Sequence, residues 1–324
     1  MEQKGFNVSL IGGAHKQSGK PVQDRSATKV GNGYNIAVVC DGHGANKHFR
    51  SHVGAEFATE TAVDKLSEFA TAFPTYESAI DGWGKKAESL RLSIVSEWDK
   101  KIKADYTASP FTEDELTNAV DSGVDYFSRY TKLIPYGTTL LAVLLADDYY
   151  VALMIGDGVI IRMTPEGDAV EETFEGKVLG DRVESMCNRE SAFKIYVKCV
   201  KIEEDAKDTA FVLCSDGFCE SEAFTSREIM LNWPKKYIVY WADNGYETAM
   251  EAVSKQLAQV SDYSLAQDDI SIAIAVKDPR AYLPKEKNNS PAEDNAPEET
   301  QSSAVTTEEN VSVENNCSES NETV

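Results

Sequence analysis

Two hydrophobic rhythms alternate along this chain. Continuous apolar runs rich in β-branched residues, at 36–40, 138–146, 149–155, 159–163, 210–214 and 270–276, predict strands buried on both faces. Weaker runs at 6–11 and 26–30 predict two more strands. Residues 193–202 alternate apolar and polar positions through Phe193, Ile195, Val197 and Cys199, the pattern of a half-buried strand. Elsewhere the apolar spacing is helical. Phe49, Val53, Phe57, Ala62, Leu66 and Phe69 predict a helix over 46–71. After a break at Phe73-Pro74, Trp83, Ala87, Leu90, Ile94, Trp98 and Ile102 predict a second. Thr112 and Glu115 form a capping-box pattern that opens a third helical segment, ending near Lys132. Ala249, Met250, Val253, Leu257 and Val260 predict a last helix over about 246–260.

The polar residues at the strand ends carry the chemistry. The run at 36–40 breaks into Asp41-Gly42-His43-Gly44, where the glycines are expected to allow a turn that other residues would resist. Four apolar strands touch an aspartate: Asp41, Asp157 and Asp216 at the exit, Asp268 at the start. Any one Asp-Gly is ordinary turn chemistry. Core strands of one pair of sheets, however, bring their ends together. Clustered carboxylates repel and raise each other's pKa unless a cation neutralises them. An all-oxygen set without His/Cys ligand spacing suits Mg²⁺ or Mn²⁺ better than zinc.

At 324 residues and 42% apolar, the chain can build one large domain or two small ones. Its formal charge of −22 argues against nucleic acid or an anionic membrane as the main partner. Residues 280–324 hold ten acids and three bases, a local charge of −7, which leaves −15 on residues 1–279. This Glu-, Asn-, Ser-, Thr- and Pro-rich stretch is expected to be a disordered acidic tail after an ordered domain at 1–279. Six cysteines without framework spacing, and no stretch like a signal peptide or membrane span, lead us to expect a cytoplasmic protein. A monomer is also expected.

Six short motifs now occur in order: Gln23-Asp24, Val39-Cys40-Asp41-Gly42-His43-Gly44, Tyr136-Gly137-Thr138-Thr139, Ile155-Gly156-Asp157-Gly158, Cys214-Ser215-Asp216-Gly217 and Gln267-Asp268-Asp269-Ile270-Ser271. Together they resemble the type-2C metal-dependent serine/threonine protein phosphatases, in a divergent bacterial branch, over roughly residues 7–277. The resemblance implies an α+β fold, a four-layer α-β-β-α sandwich of two mostly antiparallel sheets flanked by helices. It implies two Mn²⁺ or Mg²⁺ ions in a cleft at one end of the sheets, with a weaker third. By position, Asp41 would bridge both metals, the Gly42 carbonyl would hold one, and Asp216 and Asp268 would hold the other. Asp24 would act through ordered water, Asp157 would serve the third ion, and His43 would be the general acid toward the leaving oxygen. The implied substrates are phosphorylated proteins, those of a cognate serine/threonine kinase.

The chain also departs from that pattern. Gln23 stands where the family has Glu, Gly19 where it has its phosphate-binding Arg, Gly158-Val159 where it has Ser-Arg, and Asp269 where it has Asn. His15, Lys16, Lys20 and Arg25 are the candidates to supply the missing positive charge, and a solvated loop is the bland alternative for all four. The segment 175–192 sits where the family carries its substrate flap, and is read either as a specificity element or as a plain surface loop. No Cys has an Arg six positions later, and no phosphate-cradling Gly-X-X-X-X-Gly-Lys-Ser/Thr loop is present. Two functions remain. One is metal-dependent hydrolysis of phosphoserine and phosphothreonine. The other is a catalytically weak relative that uses the same fold to bind a partner.

Overall fold

Antiparallel pairing between short apolar strands generates the whole architecture. In the computed structural model, which describes residues 5–119, 131–167, 169–177, 184–263, 265 and 267–284, ten strands form two five-stranded sheets. In chain order, β1 (Phe6–Leu10) is followed by the short helix α1 (Gly13–Ser18). Next come β2 (Arg25–Gly31) and β3 (Tyr34–Cys40), then four helices: α2 (Ser51–Ala72), α3 (Tyr76–Ile80), α4 (Trp83–Ala108) and α5 (Glu113–Ala119). The chain returns through β4 (Leu140–Ala146), β5 (Tyr149–Ile155), β6 (Val159–Met163), β7 (Val170–Glu171), α6 (Ser191–Lys194), β8 (Tyr196–Lys201) and β9 (Ala210–Cys214). It ends with α7 (Asp216–Cys219), α8 (Arg227–Asn232), α9 (Lys235–Asn244), α10 (Tyr246–Tyr263) and β10 (Ile270–Val276). One sheet has the order β1-β10-β9-β6-β7 and the other β2-β3-β4-β5-β8, and every pairing is antiparallel.

Strand alternation then sets the layers. In β3, Ala37 and Val39 face the opposite sheet, while Ile36, Val38 and Cys40 face α2 and α4. In β10, Ala273 and Ala275 face the other sheet, while Ile270, Ile272, Ile274 and Val276 face α9 and α10. Three apolar layers result: helix on sheet, sheet on sheet, and sheet on helix. This is the expected four-layer α+β sandwich. Both faces of the central strands are buried, so these runs carry no alternation in sequence. On α2 the fully buried positions include Ala55, Ala58, Ala62 and Leu66, so small residues bring the helix against the sheet while Val53 and Phe57 pack at its margin. Trp98 of α4 is fully buried and its Nε1–H donates to the Gly54 carbonyl at 2.9 Å.

Some expectations are corrected. Phe193 does not begin a strand. It lies in α6, 63% exposed, and the strand starts at Tyr196 because Glu190 at a φ of 61° and one helical turn come first. The helix expected over 46–71 starts at Ser51, after a 3₁₀ turn at Asn46–His48. The helix expected from Trp83 to Ile102 is α4, and the short α3 before it, which the spacing did not show, is set apart by Gly82 in the left-handed region. The Thr112–Glu115 capping box is formed: Glu115 N–H donates to Thr112 Oγ1 at 3.2 Å and Thr112 N–H to Glu115 Oε2 at 2.8 Å. The expected end of that helix near Lys132 falls partly on residues 120–130, outside the described residues, and Thr131–Tyr136 is a 3₁₀ helix. The tail expected at 280–324 lies outside them from 285 onward. Its first residues, 280–284, are described, and there Pro279–Tyr282 forms a 3₁₀ turn whose buried Tyr282 donates its hydroxyl to the carbonyls of Met163 and Asp208 at 2.8 and 3.0 Å.

The region between α2 and β4 is tied by one cation. Arg50 is buried at the start of α2, where Nε meets Glu115 Oε1 at 2.8 Å and Nη2 meets Oε2 at 3.0 Å. Its Nη1 donates to the Ser109 carbonyl at 2.7 Å and lies 3.2 Å from Asp105 Oδ2, and the guanidinium stacks 4.9 Å from the Phe111 ring centroid. Tyr136 completes the group, donating to Asp105 Oδ2 at 2.6 Å. Arg50→Ala is expected to lower the unfolding free energy by roughly 3 kcal/mol, because it strands partly buried carboxylates. Lys100→Ala, which removes an exposed pair with Glu97 at 3.2 Å, is expected to change it by less than about 0.5 kcal/mol. Urea unfolding of both variants checks this, and equal effects would remove Arg50 from its role as a tie.

Candidate metal centre at the strand ends

Strand register decides which residues meet. Arg25 pairs with Cys40, so Asp24 before β2 and Asp41 after β3 leave the sheet side by side. Cys214 pairs with both Val159 and Ile272, so Asp216 after β9, Asp157 before β6 and Asp268 before β10 emerge at one end of the other sheet. The sandwich brings these two ends together. Asp24, Asp41 and Asp216 each hold their proton more tightly than an ordinary carboxyl. Burial is the largest cause in all three, followed by Asp269 for Asp24 and by Asp24 for Asp41. For Asp216 the Asp41 hydrogen bond ranks second and acts in the opposite sense. The contact between Asp41 and Asp216 raises the first and lowers the second, so the pair favours one proton over two full charges. Asp24 Oδ2 and Asp216 Oδ1 are buried and have no hydrogen-bond partner. Buried carboxylate oxygens without a hydrogen-bond partner, close enough to raise one another's pKa, fit a hard divalent cation.

Backbone and hydroxyl contacts fix the acids. The Asp41 carbonyl accepts from Thr139 N–H and from Thr138 Oγ1, both at 2.8 Å, and Asp41 N–H donates to Thr139 Oγ1 at 2.9 Å. Ser215 hydrogen-bonds Asp24 and accepts from Ser271 N–H at 2.9 Å, which links β9 to β10. Gly42 is not in the left-handed region. It is required for space, since a Cβ there would lie 2.5 Å from the Gln23 carbonyl and 3.0 Å from that of Ser51. Its partner across an isolated bridge is Thr138.

His43 follows Asp41 on the same turn. Its N–H donates to the Gly137 carbonyl at 3.1 Å, and its ring lies 4.8 Å from that of His48, centroid to centroid. A Cβ on Gly137 would come within 2.5 Å of His48 Nδ1 and 2.8 Å of His43 Cδ2, so both rings need this glycine. Burial, and then the Lys47 ammonium, push His43 down to about 4, so the imidazole is neutral at pH 7 in the free protein. Lys47 was not among the basic residues singled out in the sequence, because nothing in the spacing placed it beside His43.

The remaining candidates separate. Asp157 is half-buried, raised by burial and opposed by Lys177, and its charge reaches Asp216. Lys20 Nζ donates to the Gly44 carbonyl at 2.6 Å, which puts an ammonium on the His43 turn. Lys16 is exposed. Arg25 donates to the carbonyls of Val22 and Asp24 at 3.1 and 2.9 Å and lies 3.9 Å from Glu56, so its charge is turned toward α2. His15 is buried beside acids, 2.9 Å from Asp269 and 4.0 Å from Asp268. Gln23 donates from Nε2 to Ser51 Oγ at 2.6 Å and to the His43 carbonyl at 3.3 Å. Asp269 is an anchor: Gly12 N–H donates to its Oδ1 at 2.7 Å and Gln23 N–H to its Oδ2 at 2.6 Å. Within the expected flap, residues 178–183 lie outside the described residues. Downstream of them, Met186 N–H and Ser185 Oγ donate to the Thr138 carbonyl at 2.9 and 3.1 Å.

The acids make a pH prediction. Asp24, Asp41 and Asp216 have folded-state pKa values above the ordinary 3.8, so the metal-free folded chain binds more protons than the unfolded one above that pH. Stability in EDTA is therefore expected to fall as pH rises from near 3.8 through the raised values. Asp24→Asn is expected to flatten the fall. Excess Mn²⁺ is expected to cancel it, since the cation competes with the protons. Urea midpoints between about pH 4.5 and about pH 8 test the sign, and a midpoint in EDTA that climbs steadily over that range would contradict it.

A family model described as Protein phosphatase 2C matches residues 11–260. Among solved structures, PppA, a key regulatory component of T6SS in Pseudomonas aeruginosa, is similar at 17% identity and a TM-score of 0.49, over 84% of this chain and 96% of that one. The Mycobacterium tuberculosis serine/threonine phosphatase PstP/Ppp is similar at 13% identity and a TM-score of 0.48, over 85% and 98%. The catalytic domain of PstP in complex with two manganese ions is similar at 14% and 0.46, over 84% and 97%. No curated protein matches the sequence.

Proposed function

We propose, from the premise that this chain belongs to the protein phosphatase 2C family, that it hydrolyses phosphoserine and phosphothreonine in proteins with divalent cations held at the carboxylate cluster. The observation that carries the proposal is the set of buried, unpartnered oxygens on Asp24 and Asp216, beside Asp41 and Asp268. Asp41, Asp216, Asp268 and the Gly42 carbonyl would hold two ions, Asp24 would act through ordered water, and Asp157 would serve a weaker third. When bound, Mn²⁺ or Mg²⁺ supplies charge neutralisation at the transferring phosphoryl group and activates the attacking water.

The chain's own residues do the rest. Thr138 and Thr139 hold the backbone of Asp41, so that carboxylate keeps its direction. Lys20 and Lys47 flank the His43 turn and would attract the phosphate dianion. Arriving beside His43, that dianion favours the protonated imidazole, which then donates toward the leaving seryl or threonyl oxygen. The second reading, a weak relative that binds a partner, draws on Gln23, whose amide bonds Ser51 instead of adding a charge to the cluster.

The full chain with about 1 mM Mn²⁺ is expected to release phosphate from a phosphothreonine peptide, and Asp41→Asn or Asp216→Asn to cut turnover on the order of a hundredfold or more. His43→Ala is expected to slow the peptide roughly a hundredfold while sparing p-nitrophenyl phosphate, whose leaving group needs no proton. A folded chain that releases no phosphate would favour the binding reading. Full activity in Asp216→Asn would refute the site.

A further inference from the structure

The loop between β1 and β2 carries a side chain to which the resemblance assigned no metal-binding role. His15 sits on α1, which docks on the start of β10: Ala14 N–H donates to the Gln267 carbonyl at 3.1 Å and Gly12 N–H to Asp269 Oδ1 at 2.7 Å. Only about one-tenth of the His15 side chain is exposed. Its Nδ1 lies 2.9 Å from Asp269 Oδ1, off the line a hydrogen bond needs, and has no other partner. Its Nε2 lies 4.0 Å from Asp268 Oδ1. One donor atom from each of His15, Asp268 and Asp269 fall within 4.8 Å of one another. Gln23 Oε1 is buried without a donor as well. A Cβ on Gly44 would stand 3.7 Å from that oxygen and 3.8 Å from His15 Nε2, so both look onto the same space beneath the His43 turn.

We propose that His15 is a nitrogen ligand, through Nε2, to a divalent cation it shares with Asp268, with Asp269 orienting the ring from the Nδ1 side. An anion would meet two carboxylates there, whereas a cation is neutralised by them. Two ligands at about 2.1 Å from one ion stand roughly 3.0 Å apart in cis positions and about 4.2 Å apart in trans, so the 4.0 Å between Nε2 and Asp268 Oδ1 lies within the span one ion can bridge. A ligating histidine usually donates its second ring N–H to a carboxylate, and a small rotation of the His15 ring on binding the cation would bring Nδ1–H onto Asp269 Oδ1, 2.9 Å away. Asp269 is itself held by two backbone N–H groups, so it can fix the ring without moving. A mixed nitrogen–oxygen set prefers Mn²⁺ or Co²⁺ to Mg²⁺ more strongly than carboxylates alone would. The inference rests on the reading that Asp268 faces a cation. It adds an imidazole on the side where Gln23 replaces an acid.

Mn²⁺ bound to the full-length chain provides the test, by electron spin-echo envelope modulation and by calorimetric titration. The wild-type spectrum is expected to show imidazole-nitrogen coupling that His15→Gln loses and His43→Ala keeps. Mn²⁺ affinity is expected to fall roughly tenfold or more in His15→Gln, and Mg²⁺ affinity less than about threefold. Bound Mn²⁺ without nitrogen coupling in the wild-type chain would overturn the proposal whether or not the variant folds. So would coupling that survives in a folded His15→Gln chain. Nitrogen-coupled Mn²⁺ in a chain that releases no phosphate would leave the ligand standing and overturn the phosphatase reading.

Discussion

Several carboxylates crowded into one partly buried space repel each other, and the rest of the molecule is built to hold them there. Like charges a few ångströms apart in such surroundings cost on the order of kilocalories per mole for each pair. Side chains free to rotate would swing apart. Here the acids sit on the first residues beyond paired strands, where hydrogen-bonded backbone prevents that escape. The register that pairs Arg25 with Cys40, and Cys214 with Val159 and Ile272, aims Asp24, Asp41, Asp157, Asp216 and Asp268 at one end of the sandwich. In the metal-free chain three of them hold their protons more tightly than an ordinary carboxyl.

Holding the acids requires firm loops on both sides. On one side, Asp269 binds Gly12 and Gln23 through their backbone N–H groups and ties the β1–β2 loop to β10. On the other, the Gly137-Thr138-Thr139 segment holds Asp41 and packs under His43 and His48. Arg50 and Tyr136 anchor that segment to the ends of α4 and α5. The helices between β3 and β4 thus do more than cover a sheet. They fix the position of the threonines that hold the acid.

The charge balance of the cleft follows from the same geometry. Lys20, Lys47 and Lys177 each approach from a different segment, and no single one takes the place of the arginine absent at Gly19. Positive charge is spread around the rim, while the buried floor stays acidic. His15, first grouped with the basic residues, belongs to that floor because its neighbours are Asp268 and Asp269.

Local pattern alone determined the strands at 36–40, 138–146, 149–155, 159–163, 210–214 and 270–276, the long helix stripes, and the aspartates at their ends, because burial on both faces forces apolar runs and turns force Asp-Gly. The motif order added the family and the layered fold. Short helices such as α1 and α8 escaped notice, since six residues hold too little periodicity to read. Phe193 misled for a related reason: an exposed aromatic on a single helical turn imitates strand alternation. Only the tertiary structure decided that Arg25 turns toward Glu56, that Gln23 bonds Ser51, that Lys47 lies beside His43, and that His15 faces two acids. Those outcomes depend on how a loop crosses between two sheets, and the spacing of residues along the chain carries no record of that crossing.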